Sequence, residues 1–262
     1  MRMKADHDIH LHSQLSRCSR DPLQTAEALM AHARETGLSQ LCITDHFWDA
    51  PVPGASDWYK GQDLEHLRSI LPLPQEEGVQ FFFGCEAEMD KHFRLGILRE
   101  SFDAFDFVII ALTHLHRPGF TIPEEMNTAE ARAAYLVERF ERLFAMDLPF
   151  EKIGLAHITT PLLWREVPEG HLQVLERITD AQWERIFSAA AQKGCGVELN
   201  LKALSKDERV LRPYRIARDM GCRFYLGSDA HHPADLVGNR QAFEMYIEEL
   251  KLEEEMRFRI AP

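Results

Sequence analysis

The chain has 262 residues, of which 45% are hydrophobic and 27% charged, the balance of a globular protein with a sizeable core. A formal net charge of −12 speaks against a nucleic-acid-binding surface, which would present a basic face. No apolar run approaches the roughly 18 residues of a membrane span, and no secretory h-region opens the chain. Five scattered cysteines (Cys18, Cys42, Cys85, Cys195, Cys222) lack any C-x-x-C spacing, so a cytoplasmic location is expected rather than a disulfide framework or a zinc ribbon.

Short apolar runs alternate with helical stretches along the whole chain. The first strand is expected near 6–11 and carries His10 and His12, two imidazoles on one face because side chains at i and i+2 of a strand point the same way. A helix follows over "PLQTAEALMAHARETG" (22–37), opened by Pro22 and Thr25 and stopped by Gly37. The second strand, 40–44, leads to Asp45 and His46. The connection 47–61, rich in Pro, Gly and aromatics, reads as an ordered loop over one mouth of the structure. The third strand, 79–84, precedes Glu86, and the fourth, 106–112, precedes His114. Thr128 caps the longest helix, 128–147, and the fifth strand, 153–156, leads to His157. A second mouth loop is expected over 157–179. Helix 180–194 closes on Gly194, the sixth strand lies at 196–199, and helix 212–221 closes on Gly221. The seventh strand, 223–227, leads to Asp229 and His231. A charged amphipathic helix over 241–258 follows and offers a surface for a homo-oligomer.

Alternating strands and helices predict a parallel sheet, either closed as a barrel or open and doubly wound. No G-x-G-x-x-G follows the first strand, so the dinucleotide-binding version lacks its fingerprint. No repeat or low-complexity linker interrupts the series, and residues 1–262 read as one domain.

The histidines and acids singled out above all fall at carboxyl ends of expected strands, the face on which an α/β barrel builds its active site. Imidazole and carboxylate together suit zinc, manganese or iron, and a carboxylate can bridge two ions. His10, His12, His46, His114, His157, His231, Glu86 and Asp229 exceed the needs of one tetrahedral ion, so two or three divalent ions are expected. His32 and His66 (helices), His171 (loop), His7 and His92 read as bystanders, and His116 and His232 as flanking residues. Asp45 is placed to orient an imidazole. Asn200 is expected to satisfy a loop backbone rather than a substrate, and Cys42, Cys85, Cys195 and Cys222 to fill the core.

In this order, "HLH", "TDH", "GCE", His114, His157 and "GSDAH" resemble the PHP (polymerase and histidinol phosphatase) family over residues 10–231. The stretch "VELN", then "GSDAHHP", in a chain with no room for a polymerase, is similar to the free-standing histidinol-phosphatase-type members. The resemblance implies a distorted seven-stranded (β/α)7 TIM-like barrel with a trinuclear site. One ion would take His10, His12, Glu86 and Asp229, and a second would share Glu86 and take His114 and His157. A third would take His46, His231 and one more ligand from the loop after the first strand. Six residues after His12, where some members carry histidine, this chain has Cys18; Asp21 follows and is favoured here as a hard oxygen ligand.

The expected activity is hydrolysis of a small phosphomonoester, histidinol phosphate among the candidates, by a water that two ions hold and deprotonate for in-line attack. Arg117, Arg165 and Lys202 are candidate phosphate contacts, and Trp48, Trp58 and Tyr59 candidate pocket walls. No residue stands out as general acid. Two other readings compete: a metal-dependent amidohydrolase acting on a C–N bond, and a non-catalytic metal-binding module serving a partner protein. The second would show missing ligands, whereas the set here is nearly complete.

Overall fold

In the computed structural model, which describes residues 1–19 and 21–260, the chain opens with β1 (His7–Leu11) and α1 (Ala26–Thr36). Thr25 caps α1 by accepting a hydrogen bond from Ala28 N, and Gly37 ends it in the left-handed conformation at φ 72°. Next come β2 (Gln40–Ile43), the two-residue β3 (His46–Phe47), the short α2 (Leu64–Arg68) and β4 (Gln80–Glu88). Two details here differ from the sequence expectation: β3 adds a brief strand, and β4 continues four residues past Gly84. Gly84 does not break β4, because it sits where a Cβ would meet Phe107 O at 2.5 Å and so permits the close pairing of β4 with the next strand. Glu86 therefore lies inside a strand.

The series continues with β5 (Phe107–Ala111), α3 (Ala129–Phe144, capped by Thr128), β6 (Ile153–Leu155), α4 (Gly170–Arg177) and α5 (Asp180–Lys193). Helix α4 and its residue His171 stand where a loop was expected. Its start is silent in sequence: Glu169 enters in the left-handed conformation without any side-chain cap, and the helix is held instead by buried Leu172, Val174 and Leu175. Then follow β7 (Gly196–Asn200), α6 (Glu208–Asp219), β8 (Arg223–Gly227) and α7 (Asn239–Glu249). Helix α6 begins a turn before the expected Arg212, capped by Asp207, and carries Pro213 in its interior.

The main strands pair in parallel in the order β1-β2-β4-β5-β6-β7-β8, with β3 alongside β4. The ends meet at their carboxyl termini: Leu11 bridges Ala230 in parallel, His12 N donates to Ala230 O at 3.0 Å, and Asp229 N donates to His10 O at 2.8 Å. A parallel barrel with helices outside results, in agreement with the seven strands expected.

The expected C-terminal helix 241–258 stops at Glu249 and is not detached. Leu250 and Leu252 are fully buried, and the chain turns at Lys251 (φ 53°). It then crosses the floor of the barrel, where Phe258 and Ile260 pack with Ile9, Phe107, Ile109 and Tyr225. Arg257 fastens it, donating to Asp6 Oδ1 at 2.7 Å and Gln40 Oε1 at 2.8 Å. These apolar anchors outweigh the acidic residues that made the segment read as a solvated helix. No helix among the described residues is long and apolar enough to cross a membrane.

Candidate metal centre

Glu86 stands at the centre of the carboxyl face of the barrel, 1% exposed. Its Oε2 faces His46 Nδ1 at 3.1 Å, His12 Nε2 at 3.5 Å and His10 Nε2 at 3.6 Å. Its Oε1 faces His157 Nε2 at 3.1 Å and His114 Nε2 at 3.8 Å. One carboxylate thus divides five imidazoles between its two oxygens, the disposition of a bridging ligand. Asp229 Oδ1 closes the near side, 3.2 Å from His12 Nε2 and 3.8 Å from His10 Nε2. Ligand atoms converge in three overlapping groups: His10, His12 and Glu86; Glu86, His114 and His157; and His12, Cys18, His46 and His231. Both His157 (φ 27°) and Asp229 (φ 55°) hold positive φ, a conformation seldom adopted away from glycine and concentrated at functional sites.

Whether these residues fit a metal is tested by their unused atoms. His10 Nε2, His12 Nε2 and His46 Nδ1 are buried without a hydrogen-bond partner, and all three point toward Glu86 Oε2. A buried polar atom left unpaired costs about 1–3 kcal/mol, and three at one point are accounted for when their lone pairs meet a cation.

Outer partners fix the ring orientations. His10 Nδ1 lies 2.6 Å from Glu198 Oε1, His114 Nδ1 2.8 Å from Glu88 Oε2, and His157 Nδ1 2.6 Å from Thr113 Oγ1. Each contact engages one ring nitrogen and leaves Nε2 free to face Glu86. Glu198 also accepts from His157 N at 2.6 Å, and buried Arg139 binds Glu88 together with the carbonyls of Leu112, Met89 and Thr121. None of Glu88, Glu198, Thr113 or Arg139 was singled out from sequence. The available signal was a carboxylate two places from another polar residue, and so on the same face of an otherwise apolar strand: Glu88 after Glu86 in "CEAE" and Glu198 before Asn200 in "VELN", where an unpaired buried charge would be prohibitive.

The charges follow from this packing. Burial opposes the Glu86 charge, yet the imidazoles of His46 and His10 and hydrogen bonds from His10 and His157 hold its carboxyl well below the ordinary range. Asp229 is likewise held low against burial, chiefly by His10 and His12. Burial drives His46 well below the ordinary imidazole range and His231 down to about 3, so both rings are neutral near pH 7, the form that ligates.

The other expected residues are placed as follows. Asp21 does not join the cluster; its Oδ1 caps Leu23 N at 2.9 Å and its Oδ2 meets His232 Nδ1 at 3.1 Å, while Cys18 occupies the position foreseen for it. The turn after β1 brings Cys18 to the lining of the cavity over the cluster, while Asp21 is held by Leu23 N and His232. Asp45 accepts from Ser13 N at 2.7 Å and from Ser13 Oγ at 2.5 Å, and its Oδ1 lies 3.8 Å from His12 Nδ1, so it anchors the turn more than it orients the ring. Asn200 Oδ1 accepts from Lys202 N and Ala203 N, as expected for a loop brace. Lys202 lies against the cluster, its Nζ bonded to Asp229 O and 2.8 Å from His231 Nδ1.

Above the cluster is a cavity of about 270 Å³ whose walls include Trp58, Tyr59, His116, Arg117 and Arg165. The Arg117 guanidinium stacks over Trp58 at 4.3 Å. Trp48 lies behind this wall, packed with Val52 and Tyr59. Burial, then the neighbouring His114 and Arg117, depress His116 to about 3, which leaves it a neutral ring near pH 7.

The fold resembles that of the histidinol phosphate phosphatase of Lactococcus lactis, whose structure holds zinc, L-histidinol and phosphate. The TM-score is 0.58 at 15% identity, covering 97% of this chain and 99% of that one. In sequence, the chain is 27% identical over 256 residues to a probable histidinol-phosphatase of Deinococcus radiodurans, covering 90% of this chain and 89% of that protein. It is 22% identical over 216 residues to a probable phosphatase of Caldicellulosiruptor bescii, covering 80% and 74%. The PHP domain matches residues 8–202, most of the length, and the chain belongs to the PHP family.

Proposed function

We propose that residues 1–262 form one domain acting in the cytoplasm as a metal-dependent phosphoesterase on a small phosphomonoester, with histidinol phosphate the first candidate. The observation that carries this reading is the two-sided Glu86 carboxylate ringed by imidazoles with unpaired nitrogens. His10, His12, Glu86 and Asp229 hold one ion in this reading, Glu86, His114 and His157 a second, and His46 with His231 part of a third, the ions being zinc, manganese or iron. Divalent ions held there would supply Lewis acidity toward a phosphoryl group and its attacking water.

The chain's own residues do the rest. Glu198, Glu88 and Thr113 hold the rings of His10, His114 and His157 in place, so no reorganisation is needed when substrate arrives. Arg117, fixed on Trp58, and Arg165 present guanidinium groups to a phosphate at the cavity mouth. Lys202 steadies Asp229 and His231 from outside, a supporting role in place of direct phosphate contact. The cavity of about 270 Å³ admits a small ester.

The test is phosphate release from a panel of phosphomonoesters, L-histidinol phosphate included, by protein reconstituted with Mn²⁺ or Zn²⁺, beside Asp229→Asn. Turnover of one ester that is lost in the variant is expected. Equal release by both proteins, or none on any ester with metal bound, would sink the proposal.

A further inference from the structure

Cys18 is the one exposed cysteine; Cys42, Cys85, Cys195 and Cys222 are buried. The turn that carries Cys18 is tied down at several points. Ser16 N donates to Ser13 O and Ser19 N to Ser16 O, Ser16 Oγ lies 3.3 Å from His12 Nδ1, and Ser19 Oγ donates to His231 O at 2.5 Å. The thiol is thereby delivered to a set place, where its sulfur and one nitrogen from each of His12, His46 and His231 all lie within 4.8 Å of one another. Two further facts point to a ligand at that place. His46 Nδ1 is unpartnered on a residue only 7% exposed, and the nearby oxygen donor, Asp21, is engaged elsewhere.

We propose that Cys18, His46 and His231 form a sulfur-containing zinc position beside the two imidazole–carboxylate positions that share Glu86. The inference rests on the phosphoesterase reading only in taking those two positions as metal-bearing. His12 belongs to two of the converging groups, and its single free nitrogen serves one ion. If it serves the ion beside His10, the Cys18 position keeps three protein ligands and an open site toward the cavity, the ligand count of a zinc that also meets substrate or water. Thiolate favours zinc, cobalt and ferrous iron, whereas manganese and magnesium favour oxygen. The two kinds of position therefore differ in selectivity: manganese suffices around Glu86 and does not fill the position at Cys18. On binding, the thiol forms one sulfur–metal bond and its proton passes to solvent, with no change of oxidation state.

The test uses the full chain, stripped of metal and titrated with Co²⁺ under reducing, anaerobic conditions. Wild-type protein is expected to show a near-ultraviolet sulfur-to-cobalt charge-transfer band; Cys18→Ser loses the band and one equivalent of zinc but keeps its manganese. Cys18→Asp, which restores an oxygen donor, is expected to regain the lost equivalent without the band and to accept manganese there. Zinc should also protect Cys18 from alkylation in the wild type, a readout that needs no variant. Cobalt binding without the band, or a band that persists in Cys18→Ser, overturns the sulfur ligand. Phosphate release assayed in parallel separates the two ideas: turnover without the band leaves the phosphoesterase standing, and a band with no turnover on any ester does the reverse. Failure to bind cobalt at all overturns both.

Discussion

Glu198 on β7 reaches His10 on β1 across the intervening strand β8, and the 2.6 Å contact passes directly over Gly227. A Cβ at residue 227 would stand 1.9 Å from Glu198 Oε1 and 2.7 Å from His10 Cβ, so the absent side chain is what opens the path. Gly227→Ala is expected to displace the carboxylate and cost about 1–3 kcal/mol, as overpacking does. A lower thermal midpoint and a weakened metal centre should appear together. A variant with wild-type midpoint and wild-type metal content would show that the strands yield more easily than the packing implies.

Replacing the carboxylate itself separates charge from shape. Glu198→Gln keeps the side-chain shape and one accepting oxygen, which serves either His157 N or His10 Nδ1 because these use different oxygens of the carboxylate, and it removes the negative charge behind the ring. Loss of such an outer partner typically costs about 10–100-fold in metal affinity. Competition against a chelator of known affinity measures it; an unchanged constant would mean that Glu198 serves only to tie strands together.

At the opposite end of the barrel His7 is buried, accepts a hydrogen bond from Leu226 N through Nε2, and is pushed down to about 4 by burial, with Asp6 opposing. Unfolded chains take up a proton near the ordinary value of about 6.5, while the folded protein refuses it until about 4. The stability His7 contributes is therefore complete above pH 6.5 and is lost as pH falls toward 4, by about 3 kcal/mol in all at ~1.4 kcal/mol per pH unit. His7→Gln keeps an acceptor for Leu226 N and should flatten this part of the curve. Urea midpoints from pH 4 to 8 that run parallel in both proteins would show that the acid sensitivity arises elsewhere.

Arg117 is held at the cavity mouth by its stacking on Trp58. Arg117→Ala is expected to lower kcat/KM for the best phosphomonoester roughly 10–100-fold, the loss of a charged hydrogen bond worth about 1.5–3 kcal/mol, mostly through KM. Arg117→Lys should recover part of this, since charge returns but the planar stacking does not. Steady-state kinetics decide the matter, and a fall in kcat with KM unchanged would place Arg117 in the chemical step.

What could be read from sequence was whatever a single strand end displays. His10, His12, His46, His114, His157, Asp229 and His231 announce themselves because each follows or ends an apolar run, and chain order alone puts them on one face. The pairings of Glu88 and Glu198 are silent in sequence because their partners, His114 and His10, come from other strands, and no local pattern reports a pairing across the barrel. Ligand hardness, a property of the isolated residue, favours Asp21 over Cys18, whereas the turn between Ser13 and Ser19 decides which side chain arrives. Helix α4 has no capping residue to announce it, and in the C-terminal segment the acids outnumber the few leucines and aromatics that anchor it.

The seam between β1 and β8 also sets a timetable. His10 and Asp229 belong to opposite ends of the chain and meet only where those two strands join, and the floor under them is laid by Phe258 and Ile260. Pairings so distant in sequence carry a loop-closure entropy that must be met before any contact rewards it, which makes them slow steps of folding. On a ribosome, the groups around Glu86 that draw on the first strands and on β5 and β6 can assemble while the last segment is still within the exit tunnel. Asp229 and His231 reach the centre only after β8 has emerged, so the complete site is a late product of folding rather than its seed.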